Sequence, residues 1–365
     1  MANYMTISDA DTAVYTERAL RTITIWFAVL AVLILLLVIW GTMVRVTGSG
    51  LSIPDWPMIN GSLMHPTSPE TWQAALQDYR EEALRLKKHG FPADITFERF
   101  KSLFWIEYMH RTLAALVGVI FLVILFLALK NKTFRSKISL HLAGLGILLF
   151  IQAVMGGLVV IGALQAAMVA IHLGLAFIFF SWVVWTAFIL HRKPAAGAES
   201  RSAGLTAIQI TISIILLLFL QVILGGLLAG NGGGQAFNTW PTLAGRLIPP
   251  ASFLWNSGYD NPMQNFVYNI ALIQFIHRWL AFVILGLFIY LFIITKQIPV
   301  QAGAKKALKH TMILLGLQIV LGIINLITSA QAHISIGHTG LGLLLFGSLV
   351  YMLHEFRYGF HKVDE

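Results

Sequence analysis

The sequence predicts an all-α polytopic membrane protein of eight transmembrane helices, arranged as two pseudo-symmetric four-helix bundles. Three observations carry that prediction. Apolar residues make up 57% of the 365 and charged residues 11%, about half the charge of a soluble domain. Eight apolar runs each approach the ~20 residues needed to cross the hydrocarbon core. The chain also repeats itself, with residues of the first half recurring in the second in the same order. A soluble enzyme is excluded. The absence of cysteine excludes structural disulfides, thiolate metal sites, iron–sulfur ligation and a dithiol relay.

Taken in order, residues 1–21 carry Asp9, Asp11 and Glu17 with no small-residue cleavage site after the first apolar run, so they read as a retained N-terminus. Spans are expected at about 22–44, 108–129, 139–160, 167–190, 205–228, 271–294, 308–328 and 335–353. The first bundle then occupies 22–190 and the second 205–353, joined by a linker at 191–204 and followed by a tail at 354–365. An even number of spans puts both termini on one side. Lys and Arg number fifteen on that side and eight on the other, seven of the eight between Arg45 and Lys101. A loop of that length escapes the positive-inside rule, so the termini are expected in the cytoplasm and the long loops 45–107 and 229–270 outside. The +9 charge is accordingly a topology signal and not a nucleic-acid footprint. Segment 70–89, with Glu81, Glu82, Arg85, Lys87 and Lys88, reads as a polar or weakly amphipathic helix solvated in the first loop.

The repeat has an offset of about 166 from the second span of each half onward, and of 184 before it, because the first long loop is the longer. Gly41, Trp56 and Pro57 recur as Gly225, Trp240 and Pro241 with identical spacing. Gln152, Gly156 and His172 recur as Gln318, Gly322 and His338, and His110-Arg111 as His277-Arg278. Four spans per half give parallel repeats about an axis along the membrane normal. Gly156, Gly157, Gly225, Gly226 and Gly322 suit close helix packing, with ligand contact as the alternative.

Of twelve histidines, His110, His172, His277 and His338 stand apart. They fall on the second, fourth, sixth and eighth spans, at one depth within about two turns of the outer surface. A single intramembrane histidine is ordinarily a packing partner. Four at repeated positions supply one imidazole from each of two helices in each bundle, the geometry for axial ligation of a haem. Two haems follow, one held by His110 and His172, the other by His277 and His338. His333 lacks a counterpart in the first half and reads as structural. Zinc fits poorly, because the histidines come from four helices with no carboxylate cluster. Arg111 and Arg278 follow ligand candidates directly, where they would either pair with haem propionates or snorkel to the interface.

The repeat breaks three residues before each of these ligands, where Glu107 is answered by Gln274. Residues i and i+3 share a helix face, so Glu107 is expected to point at the same haem as His110. A carboxyl can move protons or stabilise positive charge and an amide cannot, which assigns chemistry to the first haem and electron transfer or a structural role to the second. The alternative is an interfacial Glu107 paired with Arg111 or Lys101.

These residues resemble the haem A synthases, in particular their mitochondrial and proteobacterial branch. The likeness rests on Gly48-Ser49-Gly50-Leu51-Ser52 with Asp55-Trp56, on Phe104 to Arg111 with its Glu-x-x-His-Arg pattern, and on Gln152 to Gly157 with His172-Leu173. Ala229-Gly230, Phe237 to Pro241, Gln274 to Arg278 and His338 complete it, over about residues 22 to 353. Two departures stand out: the cysteine pair of some bacterial members is absent, and Thr339 follows His338 where the family usually has Gln. The resemblance implies oxidation of the C8 methyl of haem O to a formyl group by two successive hydroxylations, giving haem A for cytochrome oxidase. It implies haem O between His110 and His172 beside Glu107, and haem b between His277 and His338. A bacterial inner membrane, a nearby haem O synthase, a ferredoxin-type electron donor and self-association are further implications. Rival readings are a di-haem electron-transfer cytochrome without substrate chemistry, which leaves Glu107 in only one half unexplained, and a haem transporter or chaperone, which sits poorly with fixed ligand pairs.

Overall fold

A computed structural model describes residues 9–59, 61–87, 91–190, 201–298, 300 and 302–358, with the side chains of 9–16, 133 and 201–204 left aside. The first eight residues, most of the 191–204 linker and the end of the tail, with His89, His191 and His361, lie outside the described residues. Among the described residues the chain is helical and has no strand. Its helices are α1 (Asp9–Thr47), α2 (Pro69–Leu86), α3 (Phe97–Lys130), α4 (Lys132–Ile161), α5 (Ala166–Leu190) and α6 (Arg201–Gly230). After them come two single turns, α7 (Ala251–Leu254) and α8 (Asn265–Tyr268), and then α9 (Ile270–Ile294), α10 (Ala302–Ile327) and α11 (Ala332–Tyr358).

Eight of these helices, α1, α3 to α6 and α9 to α11, are long and apolar enough to cross a membrane, and each covers an expected span. This is a multi-pass membrane protein. Inside the spans, polar side chains satisfy themselves locally: the hydroxyls of Thr42, Thr186, Thr211 and Thr311 donate to the carbonyl four residues earlier. That arrangement removes the cost of an unpaired hydroxyl in hydrocarbon.

Packing follows small residues. Helices α1, α5, α6 and α11 form the centre, α1 touching α5 and α11, α6 touching the same two, and α5 touching α11. Helices α3 and α4 flank this centre on one side and α9 and α10 on the other, which fits a two-bundle arrangement. The halves meet where Gly226 lies against Ala170 and Gly230 against Ala166, so close that a Cβ on Gly226 would fall 2.8 Å from the Ala170 Cα. Small faces of this kind let transmembrane backbones approach.

The loops repeat as well as the spans. An antiparallel bridge joins Ile59 to Ser62 in the first loop and Leu243 to Arg246 in the second. Gly61 and Gly245 take positive φ within them, and the Trp56-Pro57 and Trp240-Pro241 bonds are both cis. The α4–α5 turn places Ala163 and Leu164 in the left-handed region, and the α10–α11 turn does the same with Ser329 and Ala330.

The first loop differs from expectation in one respect. Helix α2 begins at a capping box of Ser68 and Thr71 and buries Ala75, Leu76, Tyr79 and Ala83. It is docked and not merely solvated. Its partner is the start of α3, which begins eleven residues before the expected span and presents Phe100 and Phe104 to Tyr79 and Trp72. This aromatic cluster forms a small second core under the loop, with the Tyr79 hydroxyl donating to the Pro92 carbonyl at 2.9 Å.

Candidate functional site

His172, His277 and His338 lie within the first eight residues of their helices and His110 farther along the outwardly extended α3, and each of the four is partly buried. His110 and His172 are near one another, as are His277 and His338. Within each half the histidines come from the second and fourth spans, and the first and third spans carry the residues against which their rings lie. Those residues are glycines. A Cβ on Gly41 would fall 3.1 Å from the His110 ring, on Gly156 3.7 Å from His172, on Gly225 3.4 Å from His277 and on Gly322 3.0 Å from His338. The glycines therefore divide by role: Gly226 packs helix on helix, while Gly156, Gly225 and Gly322, with Gly41, make room for imidazoles. His333 is exposed at the second residue of α11, away from this arrangement.

Three of the four sites share a further contact, unassigned in the sequence. The Gln152 amide donates to the His172 carbonyl at 3.2 Å, Gln221 to the His277 carbonyl at 2.7 Å, and Gln318 to the His338 carbonyl at 3.0 Å. Each glutamine stands four residues before the glycine that faces the same histidine. The spacing Gln-x-x-x-Gly, present three times, is the signal that marks them. Leu37, four residues before Gly41, breaks it.

Glu107 and Gln274 occupy matched places with opposite polarity. The Glu107 carboxylate is buried and accepts from Arg111 Nη2 at 2.7 Å through one oxygen, and from Ser52 Oγ at 2.9 Å and the Ile53 amide at 3.0 Å through the other. Gln274 instead donates its amide to the carbonyls of Gly233 and Ala236 and accepts from Arg278 at 2.5 Å. The loop thus presents hydrogen-bond donors where the partner is a carboxylate, and carbonyls where it is an amide. Glu107 shares the helix face of His110 as expected, but its carboxylate is tied to the 52–53 turn and Arg111 and does not stand free over the ligand.

The Arg111–Glu107 pair is the one the alternative reading of Glu107 named, but the rest of each guanidinium is spent on neither propionates nor the interface. Arg111 donates to the carbonyls of Ile53, Asp55 and Met58, and Arg278 to those of Phe237, Thr239 and Thr242. Each clamps its loop above the histidine that precedes it. The two repeated tryptophans diverge. Trp56 lies over Gly157, where a Cβ would meet its ring at 2.6 Å, whereas Trp240 stacks on Phe282 with ring centres 5.9 Å apart. Ile323 stands where the first half has Gly157, which closes the equivalent seat to Trp240.

The chain fits a haem in each half on two observations. Gly41, Gly156, Gly225 and Gly322 give each imidazole the room between helices that a Cβ would take. The Nδ1 atoms of His172, His277 and His338 and the Nε of Arg278 are buried without a hydrogen-bond partner, polar capacity that the protein alone leaves unused. Buried polar groups without partners call for an explanation, and an imidazole that binds a metal through Nε2 carries its proton on Nδ1, ready for an outer partner.

Fold and site together define a class: a polytopic all-α membrane protein with two buried histidine pairs, each floored by glycine and roofed by an arginine-clamped loop. The chain belongs to the cytochrome oxidase assembly protein family, whose model matches residues 24–350. It is 34% identical to a protein of Beijerinckia indica subsp. indica named haem A synthase, over 94% of this chain and 96% of that one. Haem A synthases of Nitrosospira multiformis and Paracoccus denitrificans are each 30% identical to it, over 92% of this chain and 94% and 88% of theirs.

Proposed function

We infer that this protein is a haem A synthase, an oxidoreductase that converts the C8 methyl of haem O to a formyl group. The methyl carbon loses two hydrogens and gains one oxygen, a four-electron oxidation accomplished by two hydroxylations and loss of one water, with an oxidant such as dioxygen taking the electrons. Similarity to haem A synthases over nearly the whole chain supports the reaction, and one observation supports assigning it to the first half: the acidic Glu107 at a position that the second half fills with Gln274. In this reading 22–190 is the substrate bundle, with His110 and His172 holding haem O, and 205–353 holds haem b on His277 and His338. A bound haem supplies iron-centred redox chemistry. The protein would hold the macrocycle on imidazoles and exclude water with the loop that Arg111 clamps, and Glu107 would stand one helical turn before His110, held by Arg111, Ser52 and Ile53.

Glu107 is the group we assign to moving a proton or stabilising positive charge, with the Ser52 hydroxyl as its neighbour in hydrogen-bond contact. Arg111 and Arg278 put positive charge beside each haem, and the unspent Arg278 Nε is the donor left for a propionate. The excess of Lys and Arg on the side of the termini supports cytoplasmic termini in a bacterial inner membrane, with the haem sites toward the outer side. A haem O synthase as supplier, a ferredoxin-type donor and self-association complete the reading.

The test is to express the protein with and without a haem O synthase, extract the haems in acid and identify them by mass. Haem A or its hydroxymethyl precursor beside haem b is expected when haem O is available. Haem b alone under both conditions would favour a di-haem electron carrier. A site-specific prediction accompanies it. Gly322→Leu should remove the second haem, leaving about half the bound haem per chain, because even a Cβ there falls 3.0 Å from the His338 ring. Gly316→Leu on the same helix, where a Cβ meets nothing within 4 Å, should leave both haems bound by pyridine haemochrome assay.

A further inference from the structure

We propose that His110 is the exchangeable ligand of the four, the one released when the substrate haem enters, reacts and leaves, and that Leu37 makes it so. This rests on the haem reading above and assigns which contact in it opens. Three histidines are held by a glutamine on the neighbouring span, through Gln152, Gln221 and Gln318. At His110 the corresponding residue is Leu37, which has no donor, and among the described residues no side chain reaches the His110 carbonyl. The first span does donate to the second, but one turn away: Trp40 Nε1 bonds the Ile106 carbonyl at 2.8 Å. Both ligands of the second site are pinned, and only one ligand of the first.

The glutamine acts twice on its histidine. Its amide fixes the helical turn that carries the ring. Its Oε1 is buried without a partner at all three positions, and so is the Nδ1 of the three histidines concerned. Were iron bound through Nε2, Nδ1 would keep the proton, and the acceptor we assign to it is the unspent Oε1 of the glutamine whose amide already bonds the same histidine's carbonyl. An acceptor at Nδ1 fixes ring orientation and strengthens the imidazole as a ligand, and removing such a partner costs about 10–100-fold in metal affinity. His110 lacks both supports. Gln152, Gln221 and Gln318 are thus positioning residues, and their distribution separates a resident haem, held at both ends, from one held firmly by His172 alone. A site that must take up a substrate haem and give up a product haem needs that difference; a site for a permanent haem does not.

The test uses the purified haem-loaded protein and reads ligand exchange optically, as carbon monoxide binding to the reduced protein and as haem transfer to apomyoglobin. In the parent protein one haem of the two should bind carbon monoxide and transfer readily. Leu37→Gln should slow both at that haem by at least about tenfold, within the range set by such outer partners. Gln221→Leu should make the second haem reactive by a similar factor, and this variant removes a polar group from a span, so it tests the idea even if Leu37→Gln does not fold. Exchange at the first haem unchanged by Leu37→Gln, or at the second unchanged by Gln221→Leu, in loaded and folded protein overturns the proposal. Both readouts work with haem b in both sites. A protein that exchanges ligands as stated yet forms no haem A therefore overturns the synthase reading and not this one.

Discussion

Replacing Glu107 by Gln is expected to abolish haem A formation, by about 10²–10⁴-fold, the contribution of a positioned proton-transfer group, while both haems stay bound. The fold should survive because the second half already contains the substituted arrangement. Gln274 sits between Arg278 and the loop backbone and satisfies both. In the first half a glutamine at 107 would keep its oxygen on Arg111 and turn its amide toward Ser52, whose hydroxyl can reverse and accept. One mismatch remains, the Ile53 amide facing another donor, at a cost of about 1–3 kcal/mol for an unsatisfied buried group. Thermal stability should therefore fall slightly while bound haem persists, and acid extraction should return haem O with haem b. Normal amounts of haem A from this variant would remove Glu107 from the chemistry and leave it as the anchor of the 52–53 turn. The reverse exchange, Gln274→Glu, should be harsher on the fold, since it aims a carboxylate at the carbonyls of Gly233 and Ala236.

Much of the architecture is legible in the amino-acid sequence because a membrane imposes a coarse code. Hydrocarbon demands long apolar helices, so all eight spans can be read from runs of Leu, Ile, Val and Phe, and four histidines within such runs announce themselves. What the apolar code does not carry is less visible. The outward extension of α3 and the docking of α2 depend on Trp72, Tyr79, Phe100 and Phe104 meeting across a loop, a tertiary contact without a periodic signature. The turns at Ala163-Leu164 and Ser329-Ala330 take positive φ with no glycine to mark them. Glycines, conversely, are marked but ambiguous: spacing alone does not separate Gly226, which faces Ala170, from its neighbour Gly225, which faces His277.

The direction of the polar side chains is the other hidden layer. Helical spacing places Glu107 on the face of His110, but hydrogen-bond demand turns the carboxylate to Ser52, Ile53 and Arg111. The arginines are expected either at propionates or at the interface, yet each meets loop carbonyls that would otherwise lack donors. Five donors in a rigid fork suit a guanidinium to gathering several backbone oxygens at once. A sequence shows the arginine but not which carbonyls lack partners.

The clamp yields a second large expectation, in stability. Arg111→Leu and Arg278→Leu remove matched sets of bonds, three loop carbonyls and one side-chain oxygen each, so the loss they share should be similar. They differ in what is left behind. Without Arg111 the buried Glu107 carboxylate loses its ion-pair partner, and stranding a buried charge costs about 3–5 kcal/mol. Without Arg278 the neutral Gln274 loses one acceptor contact, about 1–3 kcal/mol. Arg111→Leu should accordingly show the larger fall in detergent-solubilised melting temperature and the poorer yield of folded protein. Adding Glu107→Gln to Arg111→Leu should recover part of the loss, because an amide tolerates the missing cation better than a carboxylate. Adding Gln274→Glu to Arg278→Leu should deepen it. Equal melting temperatures for the two single variants, or no recovery in the first double variant, would mean that the arginines act only through the loop carbonyls, and that the Glu107–Arg111 pair contributes no net electrostatic stability.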